Sequence, residues 1–552
     1  MAESIFVRRA RDMAEINDGR RVAIREKRDI ASRNINFAFV DVISSSATTQ
    51  SRRGEDRPSP PDWQINHGSM LKVIETEIEQ TVLTRPLGVT CFPTLFPRTR
   101  FSQALDIQRI YNQLYCSVAE DEGWICNAIQ DLLPVEHLAG VLWEIHQAAK
   151  KAGSVQDVSM GIFRSDYMLH LTDGDSDIVP SPKSFPETTL KQVEFNSFSC
   201  SGGSHANKVA NMHRYLTQKG VYNFDDSSFG VEYLPANENI ESIASGLALA
   251  HKIYGPPRNE QAKSTAVLFI VQPYNFNIAD ERPIEYALWN RKEPVPTYRL
   301  DWGPEILHFT RLTEDRELLF QPPWLPSKDP IEISVIYLRA GYESKEYNVT
   351  GYEARLQLEK SAAIKCPSIL GHISTFKKVQ QALTLPGALE HFLSMSDAAT
   401  LRETFVPMYP FDKTKAGLNA RELVRDKEHS VGYILKPSLE GGGNNVYGEE
   451  IPGFLATVPE SQWLRYILMK RIDPPKLPNI LMSSAGIGSG DVVSELGVLG
   501  YCLWKANPSD GGCVMLHNSV AGWTFKAKYA EIDEISVVKG YGCFDTPRLV
   551  DI

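Results

Sequence analysis

The sequence contains no Cys-x-x-Cys pair, and its eight cysteines are scattered along 552 residues. This spacing disfavours a zinc module or a disulfide scaffold and suits a reducing compartment. The chain also lacks a run of about 18 apolar residues, the minimum for a membrane-spanning helix. The charged N-terminus lacks the apolar segment of a signal peptide. We therefore expect a cytoplasmic protein with no membrane partner.

An excess of positive charge is also absent, because the formal net charge is −10. Nucleic acids favour basic surfaces, so no nucleic-acid partner is expected. Two common nucleotide motifs are missing as well. No G-x-x-x-x-G-K-[ST] sequence occurs, and AGIGSGD places Asp491 where a dinucleotide fingerprint needs glycine. Any nucleotide site must therefore be built differently.

The composition is that of a globular protein, with 42% hydrophobic and 23% charged residues. At roughly 100–200 residues per domain, the length allows two to four domains. Residues 43–62 are rich in Ser, Thr, Pro and charge, so we interpret residues 1–62 as a variable N-terminal arm and linker. Helical periodicity at 101–114 and 135–149 places two amphipathic helices in the next unit, residues 63–263.

Two short apolar runs, 266–271 and 333–338, predict strands buried on both faces. A helix-like segment at 283–291 and a further strand at 297–300 lie between them. This order predicts an α/β lobe with a parallel sheet at 264–366, whose pocket lies at the carboxyl ends of the strands. Residues 367–552 form the last unit.

The stretch GYILKPSLEGGGNNVYGEE, residues 432–450, is central to the functional prediction. A predicted strand ends at Pro437, and Gly441, Gly442 and Gly443 follow shortly after it. Backbone amides of such a loop can form a nest for phosphate oxygens. Lys436 can supply a charge to phosphate, and Glu440 an oxygen ligand for Mg²⁺. The alternative is a flexible surface hairpin.

A second candidate motif is VEFNSFSCSGG, residues 193–203. Strand alternation places Glu194, Asn196 and Phe198 on one face. Carboxylate and amide oxygens two residues apart can both reach one Mg²⁺. The alternative is a polar edge strand that runs into a turn.

Four further motifs carry cations that can bind a carboxylate or a phosphate. They are Arg164 in FRSDYM, Arg339 in YLRAGY, Lys377 and Lys378 in FKKVQQ, and Lys526 and Lys528 in FKAK. Structural alternatives are an Arg164–Asp166 ion pair and solvated lysines. YILMKRI with Met469 and Ile472, together with Glu495 in SELG, can form an adenine and ribose slot or ordinary core strands.

Taken in order, these motifs resemble the eukaryotic-type glutathione synthetases between about Thr90 and Asp545. The pattern LKP-x-x-EGGGNN-YGEE is highly specific for that family. The resemblance implies an ATP-grasp fold of the α/β (α+β) class, with an inserted parallel-sheet α/β substrate-binding lobe and lid loops. It also implies a homodimer that uses ATP and Mg²⁺.

The resemblance further implies roles for individual residues. The metal ligands would be Glu194, Asn196 and Glu440. The nucleotide would contact Lys377, Lys436, Glu440, Gly441, Gly442, Gly443, Asn444, Asn445, Tyr447, Met469, Ile472, Glu495, Lys528 and Glu534. The substrates would contact Arg164, Phe198, Ser199, Cys200, Ser201, Asn275, Asn277, Glu281, Arg339, Tyr342, Lys526, Val537 and Val538. The catalytic cations would be Arg164, Lys436 and Lys526.

Departures from the family pattern concentrate in the substrate motifs. The usual Glu-x-Asn-x-x-x-Gln is Asn275 to Glu281 here, so the carboxylate has moved from the first position to the last. Lys526 replaces the usual arginine and loses its bidentate fork. The small-residue lid is bulkier at 534–540, and the usual Phe-Gly-Gly is Gly202-Gly203-Ser204.

Three hypotheses follow for the function. The first is a glutathione synthetase that joins γ-glutamylcysteine to glycine through an acyl phosphate, with release of ADP and phosphate. The second is a related amide ligase of specialised metabolism with a different acid or amine. The third is a non-catalytic binding protein with an ATP-grasp shell, against which the intact metal and lysine set argues.

Overall fold

The computed structural model describes residues 59–73, 83–172, 180–181, 184–222, 229–322, 324–325, 329–438, 444–484, 486–507, 512–534, 537 and 540–551. The predictions for the arm at 1–58, for Glu440, for Gly441, Gly442 and Gly443, and for Val538 lie outside these residues. Across the part of the chain that is described, no helix is long and apolar enough to span a membrane.

The strands of the described residues are numbered in chain order. They are β1 Met70–Val73, β2 Leu83–Pro86, β3 Val89–Thr90, β4 Thr94–Pro97, β5 Val158–Leu171, β6 Thr188–Asn196, β7 Thr265–Val271, β8 Thr297–Asp301, β9 Thr310–Leu312, β10 Leu318–Phe320, β11 Ile331–Leu338, β12 Ile364–Cys366, β13 Met408–Tyr409, β14 Tyr433–Pro437, β15 Val446–Tyr447, β16 Tyr466–Lys470, β17 Leu477–Ser483, β18 Gly486–Asn507, β19 Gly512–Tyr529, β20 Cys543–Phe544 and β21 Pro547–Val550.

The α-helices are numbered in the same way. They are α1 Pro60–His67, α2 Arg98–Glu120, α3 Glu122–Ile129, α4 His137–Ala152, α5 Gly203–Gln218, α6 Asn239–Tyr254, α7 Ile278–Trp289, α8 Pro304–Phe309, α9 Val349–Lys360, α10 Ile369–Ile373, α11 Lys377–Leu383, α12 Ala388–Phe392, α13 Met395–Arg402, α14 Lys415–Leu423, α15 Lys427–Ser430 and α16 Ile451–Leu455. The predicted helix at 101–114 lies within α2, and the one at 135–149 begins two residues before α4 does. Helix α4 ends before Gly153, as predicted.

A seven-stranded sheet forms the centre of the molecule, in the order β17-β3-β20-β19-β18-β5-β6. Helix α2 packs on one face, because Ala104, Ile107, Tyr111 and Leu114 recur every three or four residues and are buried. The ring of Phe195 on β6 stacks at 3.6 Å on Tyr115 of this helix. Side chains alternate along a strand, so the neighbours of Phe195 face the other side of the sheet, where the site lies.

The α/β lobe at 264–366 contains the predicted strands, and every residue of β7 and β11 is buried. The predicted strands β8, β7 and β11 run parallel, as predicted, and β12 adds a further parallel strand beside β11. Strand β10, which was not predicted, pairs antiparallel with β11, and β9 pairs antiparallel with β10. The sheet is therefore mixed, and the segments 310–312 and 318–320 are only three residues long, which is too short to show a strand pattern in the sequence.

The predicted helix at 283–291 begins five residues earlier, at Ile278, so Pro283 lies inside α7. Proline lacks the N–H that would bond to the carbonyl of Ala279, four residues before it. Lys208 Nζ of α5 lies 3.4 Å from that carbonyl oxygen and donates to it. A tertiary contact thus compensates for the missing backbone donor, and the sequence alone gave no signal for it.

A four-stranded antiparallel sheet, β13-β16-β14-β15, stands beside the central sheet. As predicted, β14 ends at Pro437, directly before the glycine-rich segment. Met469 of β16 packs with Ile472 and with Val193 and Met168 of the central sheet. This shared apolar cluster brings the two sheets together and leaves a cleft between them.

Candidate active site

A cavity of about 920 Å³ lies in this cleft. Its walls come from β5, β6, β18, β19 and β20 of the central sheet, from β14 and β16, from the start of α5, and from the loop after β11. Residues that are more than 300 positions apart in the chain therefore share one space. The predicted site residues that line the cavity are Arg164, Glu194, Asn196, Phe198, Ser199, Cys200, Ser201, Asn277, Tyr342, Lys377, Lys436, Asn444, Asn445, Tyr447, Met469, Ile472, Glu495, Lys526, Lys528, Glu534 and Val537.

Strand pairing explains why distant motifs meet on one sheet face. Glu194 of β6 lies opposite Asp166 of β5, and Asp166 lies opposite Gly497 of β18. Gly497 in turn lies opposite Thr524 of β19, which completes one row across four strands. Directly opposite residues in a sheet project to the same face. Glu495 lies two residues before Gly497 on β18, opposite Lys526 of β19. Both side chains therefore project to the same face and line the cavity.

The carboxylate of Glu194 is surrounded by cations. Its Oε2 lies 3.1 Å from Lys377 Nζ. Burial alone would raise the pKa of Glu194, but the fields of Lys377, Lys436 and Arg164 together hold the pKa well below its usual range. Glu194 therefore stays ionised, as a ligand for a divalent cation must be.

The two predicted phosphate-binding lysines are buried, with exposed fractions of 6% for Lys377 and 4% for Lys436. Lys436 Nζ donates to the carbonyl oxygen of Val193 at 2.9 Å. Burial lowers the pKa of Lys436, and the charge of Glu194 opposes this shift. The alternative of solvated lysines at the start of α11 is wrong, because Lys378 is also only 6% exposed.

Arg164 forms a bidentate ion pair with Asp166, with both N···O distances at 2.7 Å. Asn196 joins this pair, because its Nδ2 donates to Asp166 Oδ2 at 3.1 Å and to the Arg164 carbonyl at 3.4 Å. Among the described residues, Oδ1 of Asn196 accepts no hydrogen bond. The amide is therefore oriented so that its oxygen remains available beside Glu194.

The nucleotide side of the cavity combines apolar and polar walls. Met469 and Ile472 are buried in the cluster between the sheets, and Tyr447 of β15 lies across from them. Asn445 Nδ2 lies 3.5 Å from the hydroxyl of Tyr447. These side chains therefore line the cavity, and their use as an adenine slot stays a prediction.

Lys526 and Glu495 form a close ion pair, with Nζ and Oε1 2.6 Å apart. Two residues further along β19, the ammonium of Lys528 donates to the carbonyl of Ile532. Burial lowers the pKa of Lys528, while Asp533 and Glu495 oppose the shift. The late lysine pair thus does share one face, as predicted, and each lysine has a partner within the protein.

Three predicted substrate residues are absent from the cavity wall in the described structure: Asn275, Glu281 and Arg339. Arg339 is 3% exposed and donates to the carbonyl of Cys200 and, at 3.2 Å, to Asp280. Asn275 Nδ2 donates to Glu281 Oε2 at 2.5 Å. Glu281 also lies 3.4 Å from Arg339, so the relocated carboxylate is engaged inside the wall.

Other residues that none of the sequence motifs indicated also line the cavity, among them His205, Thr524 and Phe544. The position of Thr524 at the cavity could have been predicted, because it precedes Lys526 by two positions and strand alternation gives both the same face. Phe544 lies opposite Lys526 across the β19–β20 pairing. His205 had no signal, since it reaches the cavity only through the tight turn at Gly202, where φ is +92°.

A cleft between two sheets, with buried lysines on one wall and a carboxylate–amide strand on the other, defines an ATP-grasp protein. Residues 58–549 match the family model described as the eukaryotic glutathione synthase ATP-binding domain, so the chain belongs to this family. The family prediction, the ATP-grasp fold and the ATP-dependent ligase class that the resemblance implied are thereby confirmed.

Curated proteins agree with this match. The chain is 31% identical over 506 residues to the glutathione synthetase large chain of Schizosaccharomyces pombe, covering 88% of this chain and 96% of that protein. It is 31% identical over 491 residues to glutathione synthetase of Homo sapiens, covering 88% and 94%. A glutathione synthetase-like effector from Globodera pallida shares the fold, with a TM-score of 0.66, 20% identity, and coverage of 89% and 95%.

The donor set of the cavity fits Mg²⁺. An ionised Glu194 and the oxygen of Asn196 stand on one strand face, and Mg²⁺ prefers such oxygen ligands. Within the described ranges, no three His, Cys, Asp or Glu residues cluster as a metal site. Two protein ligands suffice for a cation that is also held by substrate phosphates.

Proposed function

We propose that this chain is an ATP-dependent carboxylate–amine ligase that joins γ-glutamylcysteine to glycine, with release of ADP and phosphate. The observation that carries the proposal is the convergence of Glu194, Asn196, Lys377 and Lys436 on one 920 Å³ cavity. Family membership and the names of its curated relatives support the same reaction.

The chemistry requires a carboxylate to be activated, since a free carboxylate acylates amines poorly. Transfer of the γ-phosphoryl group of ATP to the acid gives an acyl phosphate, which the amine attacks with loss of phosphate. Phosphoryl transfer depends mainly on positioning and on neutralisation of charge. Lys377 and Lys436 are buried beside the phosphate path, so their charges act in a medium with little water.

Glu194 and Asn196 would hold Mg²⁺, with Glu440 of the glycine-rich loop as a further ligand. The ion would neutralise phosphate charge and orient the terminal phosphate. Arg164 would orient the acid, and Asp166 keeps its guanidinium fixed through two hydrogen bonds. Val537 and Glu534 would belong to the lid that excludes water, which would otherwise hydrolyse the acyl phosphate.

We also infer a cytoplasmic homodimer. All eight cysteines are free thiols, which suits a reducing compartment. The dimer is inferred from the family resemblance. Light scattering at micromolar protein concentration measures the mass in solution and tests this inference directly. A mass of twice 61.9 kDa is expected, and a single-chain mass would contradict this part of the proposal.

One observation favours a second candidate, a ligase of the same type with a different acid or amine. Asn275 and Glu281 bind each other, and Glu281 lies 3.5 Å from Arg299 as well as near Arg339. In the motif that departs most from the family pattern, the polar side chains are thus bound to other residues of the protein inside the cavity wall. The α-ammonium of a γ-glutamyl acid would have to find another partner.

An ADP-release assay distinguishes these functions. The purified chain is incubated with ATP, Mg²⁺ and γ-glutamylcysteine, and each amino acid or small amine is added in turn. We expect glycine to give the highest kcat/KM. A clear preference for another amine, or activity only with another γ-glutamyl acid, would favour the second candidate. If no pair of acid and amine gave ADP release, both candidate functions would be contradicted.

A further inference from the structure

Asp166 of β5 is not among the predicted site residues, yet it bonds to two of them. It is 1% exposed and lies on the cavity face of the central sheet, directly opposite Glu194 of β6. Arg164, two residues before it on the same face, lies opposite Asn196. Asp166 is therefore the diagonal neighbour of Asn196, at a separation that side chains can bridge.

The two oxygens of Asp166 have different partners. Within the described structure, Oδ1 accepts from Nε of Arg164 alone, at 2.7 Å. Oδ2 accepts from Nη2 of Arg164, also at 2.7 Å, and from Nδ2 of Asn196 at 3.1 Å. Because the carboxylate is buried and both oxygens are engaged, Asp166 acts on a ligand through these two neighbours and not by direct contact.

Strand β18 leaves space for this ion pair. Gly497 lies opposite Asp166, and a Cβ there would lie 2.5 Å from Asp166 Oδ1 and 3.1 Å from Cδ of Arg164. The same Cβ would also meet the hydroxyl of Thr524. A side chain at position 497 would therefore push against Oδ1, whereas Oδ2 is not among the atoms nearest to it.

Asp166 fixes the plane of the Arg164 guanidinium. Of the five N–H donors of this group, two bind Asp166 and one, on Nη1, binds the carbonyl oxygen of Ser201 at 2.9 Å. In the described part of the chain two donors remain, which is the number that a carboxylate accepts in a bidentate contact. The side chain of Arg164 is 12% exposed and lines the cavity, so a bound acid can reach these donors.

Asp166 also decides which way the amide of Asn196 faces. A carboxylate oxygen accepts hydrogen bonds and cannot donate them, so the amide nitrogen turns toward Asp166 and the amide oxygen turns away. The reverse orientation would bring two acceptors together and would lose the hydrogen bond of 3.1 Å. The weaker bond of Nδ2 to the Arg164 carbonyl oxygen, at 3.4 Å, favours the same orientation. The oxygen of Asn196 is thereby made available to Mg²⁺.

We propose that Asp166 is a positioning residue for both halves of the site, because it holds Arg164 for the acid and orients Asn196 for Mg²⁺. Its two oxygens have separate effects: Oδ1 serves Arg164 alone, and Oδ2 serves both residues. Loss of Oδ1 should therefore weaken only the binding of the acid, whereas loss of both oxygens should weaken the binding of acid and metal. This inference rests on the proposed ligase function, because it concerns how the same site is held.

Calorimetric titration of two variants tests this separation. The full chain with a non-hydrolysable ATP analogue is titrated with Mg²⁺. At saturating Mg²⁺ it is then titrated with γ-glutamylcysteine, or with the acid that the ADP-release assay selects. Asp166→Asn keeps one oxygen, which can still accept from Arg164 Nη2 and from Asn196, while its NH2 group faces Nε. The affinity for the acid should fall about tenfold, and the affinity for Mg²⁺ should stay within about threefold.

Asp166→Ala removes both oxygens. The affinity for the acid should again fall about tenfold or more, and the affinity for Mg²⁺ should now fall about 10- to 100-fold, because the metal ligand is no longer oriented. A purely structural role would reduce the fraction of chains that bind and leave both affinities unchanged. Unchanged affinities in Asp166→Ala, or equal losses of Mg²⁺ affinity in the two variants, would overturn the proposal.

Two further variants separate positioning from folding. Gly497→Ala changes no charge and displaces Oδ1, so it should repeat the effect of Asp166→Asn. If Asp166→Ala fails to fold, an unchanged acid affinity in Gly497→Ala would overturn the proposal. Glu285→Ala is the control, because Glu285 is a 2% exposed carboxylate that accepts from Arg282 at 2.6 Å and from Arg299, and it is absent from the described cavity wall. This variant should keep both affinities.

The outcomes also separate this inference from the ligase proposal, because binding is measured without turnover. The expected affinities, found in a chain that releases no ADP with any pair of acid and amine, would refute the ligase and leave the positioning role standing. ADP release by the wild type, with affinities that Asp166→Ala leaves unchanged, would refute the positioning role and leave the ligase standing. If no acid binds to the wild type, the Mg²⁺ affinities of the two Asp166 variants decide alone.

Discussion

The ammonium nitrogen of Lys377 lies 3.1 Å from a carboxylate oxygen of Glu194. A lysine that we expect to bind phosphate is thus paired with a carboxylate that we expect to bind Mg²⁺. Lys377 is buried and the side chain of Glu194 is 26% exposed, so each group compensates for part of the desolvation cost of the other. Glu194 would hold a bound Mg²⁺ in place of this ion pair, and Lys377 would then be available to a phosphate.

Replacing Lys377 with Met should weaken ATP binding by about 10- to 100-fold, because a charge-assisted hydrogen bond to phosphate is lost. Calorimetric titration with the Mg²⁺ complex of a non-hydrolysable analogue measures this effect. The matched control is Lys378→Met, at a lysine that is equally buried but lies 4.0 Å from Asp412 and outside the cavity wall. Equal losses in both variants would contradict the assigned role.

Replacing Glu194 with Gln should separate metal binding from nucleotide binding. The variant keeps the size of the side chain but loses the charge that attracts Mg²⁺, so ADP release should fall by about 100-fold or more. Metal-free nucleotide should bind at least as tightly as in the wild type, because Lys377 and Lys436 are no longer neutralised. Titration with Mg²⁺ provides the measurement, and an unchanged metal response would remove Glu194 from the metal site.

Replacing Lys526 with Met should raise the KM of one carboxylate-bearing substrate by about tenfold and leave the KM of ATP within about twofold. Lys526 and Glu495 share one row of the sheet face, so the loss of the cation also frees Glu495. Lys526→Arg restores the charge and adds the fork that the family usually has. Recovery with Arg supports a substrate role, whereas a rise confined to the KM of ATP would contradict it.

Local patterns were sufficient to predict the parts of the fold that depend on periodicity. The fully buried β7 and β11 read as continuous apolar runs, and alternation along β6 placed Glu194 and Asn196 on one face. Periodicity does not tell which segments meet in space. The order of motifs along the chain gave the family resemblance, and that resemblance predicted which segments share a cleft.

Features that depend on tertiary pairing could not be predicted from the sequence. Glu281 was expected to contact a substrate, yet its carboxylate is bound by Asn275 and Arg339 inside the cavity wall. The pairing of Lys377 with Glu194 joins residues 183 positions apart, and no local pattern encodes it. His205 lines the cavity from the first turn of α5, after the turn at Gly202, where φ is +92°. Such contacts are fixed by packing.

A buried carboxylate near the C-terminus, Asp545, binds two threonines of the N-terminal part of the described chain. Asp545 is fully buried, and its carboxylate accepts from the hydroxyls of Thr90 at 2.6 Å and of Thr94 at 2.5 Å. Burial raises the pKa of Asp545 from 3.8 to about 7, although both threonines oppose the shift. The folded protein therefore keeps a proton on Asp545 at a pH where the unfolded chain has lost it.

Because the folded state binds the extra proton, the contribution of Asp545 to stability is full below about pH 4 and is lost as the pH rises to about 7. The difference between the two pKa values corresponds to roughly 4 kcal/mol over that whole range. Asp545→Asn removes the titration. The free energy of unfolding of the wild type, measured relative to this variant in urea, should fall by about 2–3 kcal/mol between pH 5 and pH 8. Asp551→Asn, at an exposed carboxylate, is the control and should show no such trend. A wild type that instead gains stability over Asp545→Asn as the pH rises would show that Asp545 is ionised in the folded protein.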